Sequence, residues 1–375
     1  MTDELEPAPP ETVLVTGWPA FTAARLMKKI LSGDSETRLV ILSREKFALG
    51  AQEMLDALPD DQGRRARVVV GDVCDMDLGL AGSEVRELAA EVTSIHHLAG
   101  IYYLGVEREA AERVNVDGTR GVIELAGECR KLRRLSHWST AGVSGRRRGV
   151  ILEEELDEGQ SFRNFYEETK FEAEKLARAA QRNLPLTILR PGVIVGDTTS
   201  GEIDKLDGPY YLLVLIATSA AQLRVPLPGR GTAPLHLVPI DYVIDAGHAL
   251  SRDERAAGRT FHLTDPNPLP ARRVYQLVAE LSQRKLARGF LPTGLAKTLL
   301  RTPGIDRLAR GPLSFLESFD KQCFYNCRHA LALLEPAGIK CAPFDSYADN
   351  VVTFVRSVHA ARRQKLEDEV FDPFD

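Results

Sequence analysis

The sequence predicts an α/β protein built on a doubly wound parallel sheet. Short β-branched runs alternate with longer helical patterns in the first half of the 375 residues, and the helical stretches carry apolar residues three and four apart. Right-handed crossovers between parallel strands then place a ligand crevice at the carboxyl ends of the strands. The expected strands are 13–16, 39–42, 67–70, 94–98, 135–139 and 186–189, and the expected helices include 20–31, 114–129 and 166–183.

The amino-acid composition and charge of the chain indicate some classes of protein and argue against others. The hydrophobic fraction of 44% and the charged fraction of 27% are typical of a soluble globular protein. A net charge of −5 with scattered basic residues argues against a nucleic-acid partner. Five cysteines, with no secretory signal at the start of the chain, favour a reduced, cytoplasmic setting. We interpret Cys323 and Cys327 as a buried pair on a helix and assign no metal.

The chain divides into three expected parts. Residues 1–11 are acidic and proline-rich and are predicted to be a disordered tail. Residues 12–192 form the predicted dinucleotide-binding Rossmann domain, with a further strand contribution near 235–265, and 193–375 form mainly a smaller substrate-binding region. The apolar runs at 210–223 and 290–300 are shorter than the roughly 20 residues of a membrane-spanning helix, so membrane contact is at most peripheral.

The turn after the first strand predicts a dinucleotide site. Backbone N–H groups at a helix start can approach a pyrophosphate when the turn residues are small. Gly17 meets this need, whereas Ala20 and Ala23 stand where glycine is expected, and the Ala20 methyl adds bulk along the phosphate path. The predicted pyrophosphate-binding residues are Gly17, Trp18, Pro19, Ala20 and Phe21.

Three further strand ends complete the expected cofactor site. Asp72, followed by Val73, is positioned to accept a hydrogen bond from the adenine amino group, and the small residues Ala99 and Gly100 let the cofactor lie close. At the end of the second strand, Ser43 and Arg44 suit a 2′-phosphate. The sequence therefore favours NADP(H), with NAD(H) as the alternative because Glu45 follows.

Tyr166 and Lys170 are four residues apart on one helix, so their side chains share a face. An ammonium beside a phenol is expected to lower the phenol pKa and assist proton transfer to an alkoxide. Thr140, with Ser139 as second choice, ends the fifth strand and offers a hydroxyl to a substrate carbonyl. Asn115 is expected either to hold a water molecule or to fix the backbone.

The segments 115–119, 137–145, 166–170 and 189–192 together resemble the extended short-chain dehydrogenase family, over about residues 13–363. Within it, the Ser-Thr pair, the Gly-Asp-Val strand end and the Thr-Gly-x-Pro turn are most similar to the fatty acyl-CoA and thioester reductase branch, whose NAD-binding domain is of the male sterility type. The resemblance implies Thr140, Tyr166 and Lys170 as the catalytic trio, with Lys170 also holding the nicotinamide ribose. It implies Pro191, Gly192 and the following Val193 beside the nicotinamide, and a homodimer formed through the helices that precede the fifth and sixth strands.

These observations predict an NADP(H)-dependent oxidoreductase that reduces a carbonyl compound or acyl thioester with a hydrophobic, fatty acyl-like chain. The apolar run 210–216 is expected to form a wall for that chain. Two alternatives stay open. One is an NAD-dependent nucleotide-sugar epimerase or dehydratase on the same fold, and the other is a cofactor-binding regulator without catalysis.

Overall fold

Seven parallel strands form the central sheet of the computed structural model, which describes residues 11–292, 294 and 321–370 except 104, 220, 221 and 223. The strands are β1 (Thr12–Thr16), β2 (Arg38–Ser43), β3 (Ala66–Val70), β4 (Ser94–His97), β5 (Arg134–Trp138), β7 (Leu186–Pro191) and β11 (Thr260–Leu263). The strand order is β11-β7-β5-β4-β1-β2-β3. β2 and β3 are added on one side of β1, and β4, β5, β7 and β11 are added on the other side, as in a doubly wound sheet. This confirms the predicted fold class.

Both faces of the sheet are covered by helices. The helices are α1 (Phe21–Gly33), α2 (Glu45–Asp56), α3 (Asp60–Gly63), α4 (Gly82–Glu91), α5 (Arg108–Ala111), α6 (Gly118–Glu128), α7 (Phe165–Ala180), α8 (Tyr210–Thr218), α9 (Ile240–Arg252), α10 (Ala271–Leu281), α11 (Arg328–Leu334) and α12 (Ala348–Val370). Successive residues of β1 show why both faces need cover. Val13 and Val15 pack on one face with α1 and α9, whereas Leu14 packs on the other face with α4 and α6.

Helix α7 carries two of the predicted catalytic residues, and its ends are well defined. The Asn164 side chain accepts a hydrogen bond from the backbone N–H of Glu167 at 2.9 Å and so caps the helix start. Glu167 and Glu168 lie in the first turn and Arg178 in the last, which matches the helix dipole at both ends. These features place Tyr166 in the first turn of a rigid helix.

The remaining strands pair two by two outside the sheet and build the second region around a core formed by α8, α10 and α12. The region is not separate from the first, because β11 lies within 235–265 and completes the seven-stranded sheet. The pairs are β6 (Gly149–Ile151) with β13 (Cys323–Tyr325), β8 (Val193–Val195) with β10 (Leu237–Pro239), and β9 (Arg224–Pro228) with β12 (Lys285–Leu291).

Several sequence predictions need correction or fall outside the described residues. Cys323 and Cys327 are buried as expected, but Cys323 lies in β13 and Cys327 precedes α11, so they are not a pair on one helix. Of the predicted tail at 1–11, residues 1–10 lie outside the described residues. Glu11 is described, and its carboxylate forms an ion pair with Arg252 at 2.8 Å. Most of 293–300 is also outside them. In the described part of the chain, no helix has the length and apolarity needed to span a bilayer.

Candidate active site

A cavity of about 370 Å³ opens where β4, β5 and β7 end, and it brings together residues from both regions of the chain. Three of the predicted catalytic residues line it: Thr140, Tyr166 and Lys170. The cofactor-site predictions that also line it are Ala20, Phe21, Gly100, Pro191, Gly192 and Val193. The site therefore lies at the edge of the sheet where parallel α/β proteins bind ligands.

Thr140 and Tyr166 form a hydrogen-bonded pair in this cavity. Thr140 follows β5 in an extended conformation, and its hydroxyl oxygen accepts a hydrogen bond from the backbone N–H of Gly142 at 3.1 Å. Burial raises the pKa of Tyr166 to about 12, and the hydrogen bond from Thr140 opposes that shift. The phenol is thus held protonated and can serve as an acid.

Lys170 is buried beside the same residues, and its ammonium donates a hydrogen bond to the carbonyl oxygen of Trp138 at 2.6 Å. Burial lowers the pKa of Lys170 to about 8, and the negative charge of Glu174 opposes the shift. The prediction that Tyr166 has a lowered pKa is wrong for this structure, because burial of the phenol has the larger effect.

A buried ion pair supports the backbone next to Thr140. Glu174, one turn beyond Lys170 in α7, accepts a hydrogen bond from the Ser139 hydroxyl at 2.6 Å and another from the Arg190 guanidinium at 2.6 Å. Burial alone would raise the pKa of Glu174, but the Arg190 charge holds it below its usual value. Ser139, the second choice for the catalytic hydroxyl, is therefore engaged in a structural contact.

Asn115 lies in a π-helical turn (Glu112–Asp117) that leads into α6. Its side-chain oxygen accepts a hydrogen bond from the Ile101 backbone N–H at 2.8 Å, and its amide donates to the Thr169 hydroxyl at 2.9 Å. It does not line the cavity. Of the two expected roles, this geometry matches fixing the backbone after β4.

The turn between β1 and α1 is tight and depends on glycine. Gly17 has φ = 105°, and a Cβ there would lie 2.8 Å from the Ala99 backbone nitrogen, so glycine is required. A cis peptide joins Trp18 to Pro19, and the Trp18 indole donates to the Phe47 carbonyl at 3.1 Å. Helix α1 begins without an acidic residue in its first turn, which suits an anion at its N-terminus.

At the end of β2, the charged groups of Arg44 and Lys46 both lie near the Phe47 ring. The Arg44 guanidinium lies 5.1 Å from the centre of the Phe47 ring, and the Lys46 ammonium lies 4.7 Å from it. Arg44 is exposed, whereas Ser43 is buried and its hydroxyl donates to the Arg44 carbonyl at 3.2 Å. Arg44 and Lys46 therefore place two positive charges at the end of β2, and the Ser43 hydroxyl already donates its hydrogen to a backbone carbonyl.

The other predicted cofactor residues have structural contacts of their own. Asp72 accepts a hydrogen bond from the Cys74 backbone N–H at 3.0 Å. The Val73 side chain packs closely on Gly118, where an added Cβ would lie 2.9 Å from the Val73 Cγ2 atom. The Ala99 N–H donates to the Thr16 hydroxyl at 3.1 Å. Contacts of Asp72 and Val73 with an adenine stay predictions.

Sequence reasoning missed the part of the cavity that comes from the second region. Strand β13 and the segment before β10 reach the site only through tertiary folding, and no local pattern marks them. The predicted apolar wall at 210–216 is wrong in detail, because Tyr210, Leu213 and Ile216 pack into the second core and only Tyr211 lines the cavity. The missed lining residues with polar side chains include Arg163, Lys205, His236, Lys321 and Tyr325.

Known proteins resemble this chain in sequence and in structure. A linear gramicidin synthase of Brevibacillus parabrevis is 28% identical over 288 residues, which are 70% of this chain and 5% of that protein. Fatty acyl-CoA reductase wat of Drosophila melanogaster is 26% identical over 274 residues, 62% of this chain and 52% of that protein. The chain thus spans about half or less of these relatives. The terminal R domain of the myxalamid PKS-NRPS biosynthetic pathway superposes with a TM-score of 0.80 at 25% identity, over 94% of this chain and 92% of that chain.

The family match covers most of the sheet and the three predicted catalytic residues. Residues 15–247 match the family described as male sterility protein, an NAD-binding family, and this span is more than half of the chain. It includes Thr140, Tyr166 and Lys170, and it confirms the resemblance inferred from the sequence motifs. The chain therefore belongs to the male sterility protein family, in the fatty acyl-CoA reductase branch of the extended short-chain dehydrogenases.

Proposed function

We propose that the protein is an NADPH-dependent reductase of an acyl thioester, aldehyde or ketone with a hydrophobic chain. The observation that carries the proposal is the meeting of Thr140, Tyr166 and Lys170 in one cavity next to the glycine turn. Apolar surface around them suits an acyl chain. The apolar and aromatic lining residues include Leu98, Ile101, Tyr102, Tyr103, Ile194, Ile203 and Leu235.

The chain's own residues supply binding and acid catalysis. The Thr140 hydroxyl and the Tyr166 phenol donate hydrogen bonds to the substrate carbonyl oxygen and stabilise the negative charge that develops there. Tyr166 then gives its proton to that oxygen. NADPH, when bound, supplies the hydride. With a thioester, the resulting hemithioacetal releases the thiol, re-forms a carbonyl and leaves an aldehyde.

The direct test is NADPH oxidation by the purified protein against acyl-CoA thioesters, long-chain aldehydes and ketones. Consumption of NADPH with formation of the aldehyde or alcohol supports the proposal. The nucleotide-sugar alternative predicts instead that the protein purifies with NAD bound and converts a sugar nucleotide without net oxidation. A protein that binds NADPH yet reduces none of these carbonyl compounds would point to the regulator alternative.

Preference for NADPH is expected to depend on Arg44. The Arg44→Ala variant should bind NADPH about 10- to 100-fold more weakly, because charge-assisted hydrogen bonds to the 2′-phosphate are lost, and should bind NADH nearly as before. Fluorescence titration with both nucleotides measures this. Arg38→Ala is the matched control, since Arg38 is exposed at the opposite end of β2. Equal losses for the two nucleotides would defeat the 2′-phosphate assignment.

Reduction is expected to slow as the pH rises through the Lys170 pKa of about 8. Above that pH the ammonium loses its charge, whereas Tyr166, with a pKa of about 12, keeps its proton. The falling limb of kcat/KM against pH in the reductive direction reports the free protein and measures this. A profile that stays level across that pKa would show that catalysis does not depend on the charge of Lys170.

Three predictions about the setting of the protein remain. We expect a homodimer formed through α6 and α7, a cytoplasmic location and at most peripheral membrane contact. Light scattering after size-exclusion chromatography measures the first, and flotation with liposomes measures the last. The small-molecule substrate is the main expected partner.

A further inference from the structure

Lys321 and Tyr325 line the same cavity and form a hydrogen-bonded group with the Ser144 hydroxyl behind them. The Lys321 ammonium is 2.9 Å from the Ser144 hydroxyl oxygen and 3.0 Å from the Tyr325 phenol oxygen, and these two oxygens are 2.9 Å apart. Ser144 ends the 3-10 turn (Ala141–Ser144) that begins directly after Thr140. Four residues of such a turn rise roughly 8 Å along the backbone, so Ser144 lies about one turn beyond Thr140 in the chain.

The hydrogen atoms of this group can be assigned one by one. Ser144 donates its only hydroxyl hydrogen to the Ala141 carbonyl at 2.8 Å, so it must accept from both Tyr325 and Lys321. Tyr325 therefore donates to Ser144 and accepts from Lys321. The phenol hydrogen of Tyr325 is thus not available to a substrate, and this group is not a second proton donor like Tyr166.

What the group leaves available is one N–H of the Lys321 ammonium. Among the described residues, the polar contacts of the Lys321 ammonium are with Ser144 and Tyr325, and no ion pair joins it to a carboxylate; the residue is partly exposed. Two other cations that line the cavity are close to carboxylates: Arg163 pairs with Glu167, and Lys205 lies near Asp204 and Asp207.

Neighbouring groups hold the Lys321 site without adding charge. The His236 ring packs edge-on against the Tyr325 ring, with 4.6 Å between centroids, and its Nε2 donates to the Cys323 carbonyl at 2.9 Å. Burial lowers the pKa of His236 to about 4, so this imidazole is neutral near pH 7. Within the described residues, the Lys321 ammonium is therefore held by two hydroxyl groups and has no carboxylate partner.

We propose that Lys321 binds a carboxylate carried by the acyl part of the substrate. The preferred substrate would then have a reducible carbonyl at one end, an apolar middle and a carboxylate at the other end, as in a dicarboxylic monothioester or its semialdehyde, because Lys321, Thr140 and Tyr166 line the same cavity. One free N–H on one ammonium suits a carboxylate, whereas a phosphate dianion is usually bound by several donors or by a guanidinium fork. This inference names a substrate class for the proposed reductase. The reduction of such a substrate rests on the proposed function, whereas the binding of its carboxylate by Lys321 does not.

Binding of an unreactive dicarboxylate tests the proposal without turnover. By isothermal titration calorimetry, adipate should bind the wild-type protein at least about tenfold more tightly than its dimethyl ester, as expected for a charge-assisted hydrogen bond. Lys321→Met should remove this difference, and Lys321→Arg, which keeps the charge, should retain most of it. Lys131→Met is the control, because Lys131 is exposed on the surface away from the cavity. Unchanged NADPH binding in each variant establishes that it is folded.

Two results would overturn the inference. Adipate binding that is equal in the wild-type protein and in Lys321→Met would remove Lys321 from recognition. Inorganic phosphate that binds through Lys321 while adipate does not would reassign the site to a phosphate group. If the protein binds adipate through Lys321 but reduces no carbonyl compound, the proposed reaction fails while the binding site stands.

Discussion

Replacing Tyr166 by Phe is expected to lower turnover by about 10²- to 10⁴-fold while leaving NADPH binding nearly intact. The substitution removes only the hydroxyl that hydrogen-bonds Thr140 and that donates the proton in the proposed reaction. The ring, and therefore the packing of the first turn of α7, stays. Steady-state NADPH oxidation and a fluorescence titration of NADPH measure the two quantities separately.

The matched control for this experiment is Tyr242→Phe. Tyr242 is also a buried tyrosine, but it lies in α9 and does not line the cavity. Its variant should keep wild-type turnover. Unchanged turnover in Tyr166→Phe would exclude Tyr166 as the proton donor, and equal losses in both variants would indicate that the effect comes from stability.

Glu174→Gln should destabilise the protein by about 3–5 kcal/mol, the usual cost of removing one partner of a buried ion pair. Arg190 and Glu174 are almost fully buried, with side chains 1% and 0% exposed, so the Arg190 charge would be left without compensation. Chemical unfolding of the variant and the wild-type protein measures the difference. Glu172→Gln, on the same helix with a half-exposed side chain, should change stability by less than about 1 kcal/mol.

The same substitution has a catalytic readout. Because Glu174 raises the pKa of Lys170 against the effect of burial, its neutralisation should move the falling limb of the pH profile to lower pH. The stability contribution also depends on pH. Arg190 lowers the Glu174 pKa, so the contribution is present above the pKa of an unfolded glutamate, about 4.3, and is lost as the pH falls through the lower folded value. A profile identical to wild type would limit Glu174 to a purely structural role.

The strands of the sheet could be predicted from the sequence because each is short, apolar and bounded by its own turn residues. The ends of β1, β4 and β5 were predicted within one residue, and those ends carry Gly17, Gly100 and Thr140. Tyr166 and Lys170 were found for a similar reason, since four-residue spacing on a helix fixes which side chains share a face.

Other predictions depended on burial, and here the sequence was a weaker guide. The direction of the Tyr166 pKa shift was wrong, because the pattern revealed a nearby ammonium but not the loss of water around the phenol. The apolar run at 210–216 was predicted to form the cavity wall, but Tyr210, Leu213 and Ile216 pack into the second core instead. Which neighbours cover it depends on α10 and α12, so its contribution to the cavity could not be predicted.

Local sequence patterns were enough to predict the parallel sheet, the glycine turn and the candidate catalytic side chains, because each depends on residues that are close along the chain. The far wall of the cavity, in contrast, could be seen only in the folded protein. Tyr325 meets Ser144 across 181 residues, and Lys321 meets it across 177. Such contacts follow from how strands pair and cores pack over the whole chain, and no local spacing encodes them.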